Sequence, residues 1–314
     1  MPFAHTRALL KNREKTGYCF VMLSGILFGA MPLLTKTAFS YGWNAYTAAF
    51  GRFFFGAIIS LLAAAILPGT SLRLGRKQFQ KLLPLSLIYA ANPVLLYNSY
   101  RYVSSGLAST LHFTYPVIVM LMMALLFHSR PQKKQIVCVI LCALGILLLY
   151  RPDGQKGSLG MALALASGIV YSFYIVLIGK NSLNGLSTLT FTFWISLFGA
   201  VETSTFAALS GNFSFSPAWQ GWLAEAGLGL FASVIALALF QRGVVMCGEV
   251  KASLLSTFEP LTGVVIGLTV FREELTLAVT GGILLILLSV LLLVAPIESL
   301  EKHIICGKIV KSKI

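Results

Sequence analysis

Apolar runs of about 20 residues, each long enough to cross the hydrocarbon layer, follow one another through almost the whole chain. Inside a bilayer every backbone N–H and C=O must be satisfied within the protein, so a chain of such runs folds as a bundle of helices. Only 11% of its 314 residues are charged, against about a quarter in soluble domains. The sequence therefore predicts an all-α polytopic membrane protein. Ten spans are expected, at residues 17–37, 44–67, 80–98, 104–128, 134–150, 158–179, 186–209, 218–241, 249–271 and 276–296. The first run follows a basic segment, as in a signal peptide. It continues for a full span and into further spans, so it reads as a retained helix.

The net charge of +14 would suggest nucleic acid in a soluble chain. Here Lys and Arg sit in short loops and tails beside apolar runs, where they set topology and face anionic lipid. No nucleic-acid partner is expected. With the N-terminus inside, five of the 24 basic residues fall outside: Lys36, Arg101, Arg151, Lys156 and Arg272. Arg52 lies within the second span, and the remainder fall inside. Both termini are thus expected in the cytoplasm, with the protein in the cell membrane. The cysteines, Cys19, Cys138, Cys142, Cys247 and Cys306, are odd in number and form no CxxC. They read as small apolar residues rather than a disulfide framework or a metal site. No cofactor is implied.

The chain also repeats itself. Ser105–Phe127 (SGLASTLHFTYPVIVMLMMALLF) aligns without a gap on Glu249–Phe271 (EVKASLLSTFEPLTGVVIGLTVF). Ala108 meets Ala252, Leu111 meets Leu255, Pro116 meets Pro260 and Phe127 meets Phe271, an offset of 144 residues. Span 1 repeats more weakly: Ser24, Phe28, Met31 and Thr35 share their spacing with Ser167, Tyr171, Tyr174 and Ile178. This predicts a cytoplasmic arm at 1–16, a five-span repeat at 17–150, a linker at 151–157, a second repeat at 158–296 and a basic tail at 297–314. Five is odd, so the second repeat is inverted relative to the first. Inverted repeats commonly build secondary transporters, with the substrate near the midplane between the halves.

These residues resemble the drug/metabolite transporter superfamily, and within it the EamA-type ten-span carriers. The likeness covers roughly residues 17–296 and rests on AxxLxxxxP at Ala108–Pro116 and Ala252–Pro260. Gly281 and Gly282 in the last span, Arg52 in span 2, Phe28 and Gly29 followed by Lys36, and Glu273 or Glu274 after span 9 also fit. The first half departs from the pattern, with Ser129 and Arg130 where a matching Glu would stand. The resemblance implies a monomer of two inverted five-helix bundles. It also implies a central cavity lined by spans 1, 3, 4, 6, 8 and 9, and alternating access.

Polar groups within spans are costly and should face that cavity. Ala108, His112, Tyr115 and Val119 share one face of span 4, and Ala252, Ser256, Glu259 and Gly263 share one face of span 9. The adjacent prolines remove a backbone donor and free carbonyls for a ligand. Glu259 is the one carboxylate deep in a span beside a repeat proline, a group that can bind an amine or exchange a proton. The bland reading is a cap on a buried basic group. His112 reads equally well as a packed histidine. Tyr89 and Asn92 in span 3 and Tyr171 and Tyr174 in span 6 complete the candidate substrate wall. Tyr97 reads as a lining residue or as part of the interfacial aromatic belt, and Tyr100 is expected in that belt. Arg52 is expected to satisfy helix ends or a partner near the cytoplasmic side, and Glu202 and Glu225 are expected in solvent near helix ends. Asn92-Pro93 is expected to break span 3.

One acid among aromatic and polar residues suits an amphipathic amine, such as an amino acid, better than a polyanion. The leading expectation is a secondary exporter of a small organic metabolite, with protons as a candidate coupling ion. A multidrug or organic-cation exporter is the alternative. A channel is less well supported by proline-broken repeats. An enzyme is not expected, because the four histidines are scattered and no paired carboxylates share a face.

Overall fold

The computed structural model describes residues 2–67, 70–126, 133–149, 155–180, 186–215, 218–247, 255–274 and 276–294. The basic tail, most of the HSRPQKK loop, most of the linker and Ala252 lie outside them. All regular structure among the described residues is helical. Seven helical stretches are long and apolar enough to cross a membrane, and the shorter apolar helices Phe258–Thr269 and Leu277–Leu292 lie where spans 9 and 10 are expected. At the fifth position stands a 17-residue helix, Lys133–Leu149.

Span 1 is two helices, α1 (Pro2–Gly29) and α2 (Met31–Ser40), separated at Ala30. Pro32 sits in the first turn of α2, where its missing N–H costs nothing. Next come α3 (Ala45–Ile66) and α4 (Arg76–Ser99). Asn44 starts α3 with a reciprocal cap: its Oδ1 accepts from the backbone N–H of Thr47 at 2.9 Å, and its own N–H donates to Thr47 Oγ1 at 3.1 Å. Such a cap contributes about 1 kcal/mol. Against expectation, α4 runs through Pro84 and Pro93 without a break. It packs on α8 (Gln155–Lys180) and α9 (Thr188–Leu209), and these neighbours hold it in register across the lost backbone bonds.

Span 4 does break. α5 (Ser105–His112) ends at a turn over Phe113 and Thr114, and α6 (Tyr115–Leu126) starts one residue before Pro116. The second half repeats this: Ser256 and Thr257 form a turn, and α12 (Phe258–Thr269) starts two residues before Pro260. Span 8 is three pieces, α10 (Trp219–Leu228), a π-helical segment (Gly229–Ala236) and α11 (Leu237–Cys247). α7 (Lys133–Leu149) and α13 (Leu277–Val294) complete the set.

The main contacts join the two halves of the chain. α3 packs on α9, α7 on α13, α5 on α12, α4 on α8, and α1 on α11. Exchanging the halves maps this set onto itself. The first three pairs map to themselves, and the last two map to each other. Large apolar side chains cover the outside, among them Leu62, Leu147 and Leu209 at 57%, 67% and 84% exposure. Polar residues are buried inside, including Ser24, Thr35, Ser60, Thr110 and Ser289. This inside-out distribution would be a liability in water and is what lipid requires. Cys138, Cys142 and Cys247 are buried as small apolar residues, whereas Cys19 is exposed.

Candidate substrate site

The breaks in α5/α6 and before α12 place the predicted residues together. The ring of His112 lies 5.8 Å from Tyr115 and 5.4 Å from Tyr171. Tyr115 meets Tyr171 edge-on at 4.9 Å, Tyr171 stacks on Tyr174 at 5.7 Å, and Tyr174 meets Tyr89 at 4.6 Å. One aromatic wall therefore runs from α5/α6 across α8 to α4. Tyr115, Tyr171 and Tyr89 are only partly buried. Asn92 is buried on α4, outside this chain of ring contacts. Ser256 is buried at the turn before α12, and its carbonyl accepts from the Glu259 N–H at 3.0 Å.

His112 is fixed by one hydroxyl. Ser167 Oγ lies 2.6 Å from the Ala164 carbonyl and 2.9 Å from His112 Nδ1. Nδ1 is thus engaged, and Nε2 is the ring nitrogen left for a ligand. The His112 carbonyl lost its helical donor to Pro116. α8 closes over it at Gly168, where a Cβ would stand 2.8 Å from that oxygen.

Glu259, half-buried in the first turn of α12, faces the same region. No hydrogen bond or ion pair to another described residue holds its carboxylate. It interacts electrostatically with Tyr115, Tyr171 and Arg52. The reading of Glu259 as a cap on a buried basic group thus finds no direct partner among the described residues.

One expectation gains its partners and three change. Arg52 is buried and donates to Ser233 Oγ at 3.2 Å, Tyr89 Oη at 3.2 Å and Tyr97 Oη at 3.5 Å, which puts it beside the wall. Tyr97 is fully buried, and Tyr100, at 7% exposure, is buried rather than sitting in an interfacial belt. Glu225 is fully buried, with neither oxygen hydrogen-bonded to a described side chain, and it interacts electrostatically with Arg52. Glu202 accepts from Ser86 Oγ at 2.7 Å. Counting residues from a span end cannot foresee these, because the short loops let helix ends stay covered. The one usable signal was the cost of Arg52 within a span. Of the weaker candidates, Trp194 donates to the Leu72 carbonyl at 2.7 Å, and Gln241 lines a separate open cavity with Phe20, Thr188, Arg242 and Met246.

At one end of the bundle Glu273 ties three elements together. It pairs with Lys36 Nζ on α2 at 2.7 Å. It also accepts from the Ser105 N–H at 2.8 Å, Ser105 Oγ at 2.7 Å and the Gly106 N–H at 3.2 Å, at the start of α5. A carboxylate is favoured at a helix N-terminus. Arg272, in a left-handed conformation at φ 52°, turns the chain after α12 so that Glu273 reaches it. Lys36 Nζ also lies 4.1 Å from the centre of the Phe271 ring.

These features define an integral membrane protein of two interlocked helical halves with a polar, aromatic interior. The EamA-like transporter family profile matches residues 15–151 and 158–295. The chain belongs to that family, within the drug/metabolite transporters. An uncharacterized transporter, sll1319, of Synechocystis sp. is 30% identical over 64% of this chain and 62% of its own length, less than two thirds of that relative. An uncharacterized transporter of Archaeoglobus fulgidus is 24% identical over 88% of this chain and 95% of its own. A UDP-galactose/UDP-glucose transporter of Arabidopsis thaliana is 27% identical over 43% of this chain and 42% of its own. A solved crystal structure superposes with a TM-score of 0.64 at 15% identity, covering 88% of this chain and 96% of that one.

Proposed function

We propose that this protein is a secondary transporter that exports a small organic metabolite carrying an amine, such as an amino acid, by alternating access. The observation that carries this is Glu259, a carboxylate without a direct partner among the described residues, beside the wall of Tyr89, Tyr115, Tyr171 and Tyr174. An ammonium group pairs with the acid, and the rings take the apolar part of the substrate. His112 Nε2 and Ser256 add polar contacts. Proton coupling through Glu259 belongs to the same reading, as do a monomeric carrier, inverted halves, cytoplasmic termini and a place in the cell membrane. The closed set of contacts between halves supports the inverted arrangement. A UDP-sugar is a poorer fit, because no cluster of Lys or Arg stands inside the spans. An organic cation would use the same acid and rings, and is the second reading.

The purified protein in liposomes should show saturable uptake of amino acids from a panel that includes a nucleoside and a lipophilic cation. Glu259→Gln should abolish that uptake and its dependence on pH. Uptake of the cation alone supports the second reading. Uptake unchanged in Glu259→Gln removes the acid from the site.

A further inference from the structure

The surroundings of Arg52 are unusual for a structural arginine. The side chain is 5% exposed. Its three hydrogen-bond partners among the described residues, Ser233, Tyr97 and Tyr89, are all neutral. A guanidinium has five N–H donors, so two remain. Burying a cation on neutral partners alone is costly, and a hydrogen-bonded anion offsets that cost best. Glu225 interacts electrostatically with Arg52 but forms no ion pair with it. Glu225 on α10 lies against Gly51, where a Cβ would stand 2.7 Å from its Oε2, and neither of its oxygens is hydrogen-bonded to a described side chain. Meanwhile the charge of Arg52 acts on Glu259, His112 and Tyr171, which are all wall residues. Tyr89 accepts from Arg52 and so keeps its own hydroxyl hydrogen to donate. It is partly exposed on the wall, next to the guanidinium.

We propose that Arg52 is an anion anchor: with the Tyr89 hydroxyl it binds the carboxylate of a zwitterionic substrate whose amine meets Glu259. This rests on the transport reading above and narrows it to solutes carrying both charges. The planar fork of a guanidinium matches a carboxylate in two parallel bonds. A buried cation on the wall also opposes entry of a lipophilic cation, which separates the two readings that Glu259 alone leaves level. Glu225 acts as a more distant counter-charge when no substrate is bound.

The competing explanation is that Arg52 only balances Glu225. The test is liposome uptake of labelled phenylalanine and of phenethylamine, the same molecule without its carboxylate. It compares wild type with Arg52→Gln, Glu225→Gln and the charge-balanced double variant Arg52→Gln/Glu225→Gln. The amino acid should be preferred by wild type and by Glu225→Gln. In Arg52→Gln and the double variant that preference should fall about tenfold or more, with amine uptake retained. A double variant that keeps the preference overturns the anchor. So does a Glu225→Gln variant that loses it as fully as Arg52→Gln, or a wild type that carries both solutes equally. A wild type that carries no member of the wider panel overturns the transport reading itself, and the anchor with it.

Discussion

Gly29 lets α1 approach α12 at the level of Glu259. A Cβ there would stand 2.4 Å from the Glu259 carbonyl oxygen and 2.6 Å from Thr262 Cβ. A backbone carbonyl cannot turn aside as a side chain can. Gly29→Ala should therefore force the helices apart at a cost of about 1–3 kcal/mol, read as a lower midpoint of thermal unfolding in detergent. Ser167 makes a subtler case. Ser167→Ala removes the hydroxyl that fixes Nδ1 of His112, which costs about 1 kcal/mol, and frees the ring to turn. Substrate affinity should fall while the fold survives, as circular dichroism would verify. An unchanged affinity would make His112 a packing residue.

Among the elements, the tie at Glu273 is the most explicit link between the halves. It fastens the chain after α12 to α2 and α5, on the side where Lys36 and Arg272 are expected to face outward. Burial alone would push the Glu273 carboxyl up. The hydrogen bonds from Lys36 and from the Ser105 backbone and hydroxyl, together with the Lys36 charge, outweigh it and hold the carboxyl below the usual carboxylate range. A group lowered on folding contributes stability that is fully present above its unfolded value and is lost as pH falls through the folded one. The unfolding midpoint should thus be steady near neutral pH and drop on the acid side, below about pH 4. Glu273→Gln should lower the midpoint at neutral pH, by an amount corresponding to about 2 kcal/mol, and flatten the acid-side drop. An unaltered acid limb in the variant would assign that drop to other groups. The π segment in span 8 is a second such element. Ser233 on it holds Arg52 Nε, so the irregular turn has a stated use in the polar interior.

For the whole molecule, the apolar runs and the repeated AxxLxxxxP segments made the helical fold and its two related halves legible. Those patterns are local in sequence, and the bilayer enforces them. The wall was legible for the same reason: His112, Tyr115, Tyr171, Tyr174 and Tyr89 sit on faces that helical spacing predicts, and the structure joins them by ring contacts. The burial of Arg52, Glu225, Tyr97 and Tyr100 was not legible, because it depends on which helices pair across the halves. The unbroken course of α4 through Pro93 depends on the same pairing, since its neighbours supply the support the sequence withholds. In the proposed transport cycle the two halves expose one site to each side of the membrane in turn. A single cysteine at Ser256, in a chain whose five native cysteines are replaced, can be labelled with a membrane-impermeant thiol reagent from either face. Alternating access gives labelling from both faces, at rates that a transported amino acid shifts in opposite directions. Labelling from one face only, or equal suppression on both, would contradict it.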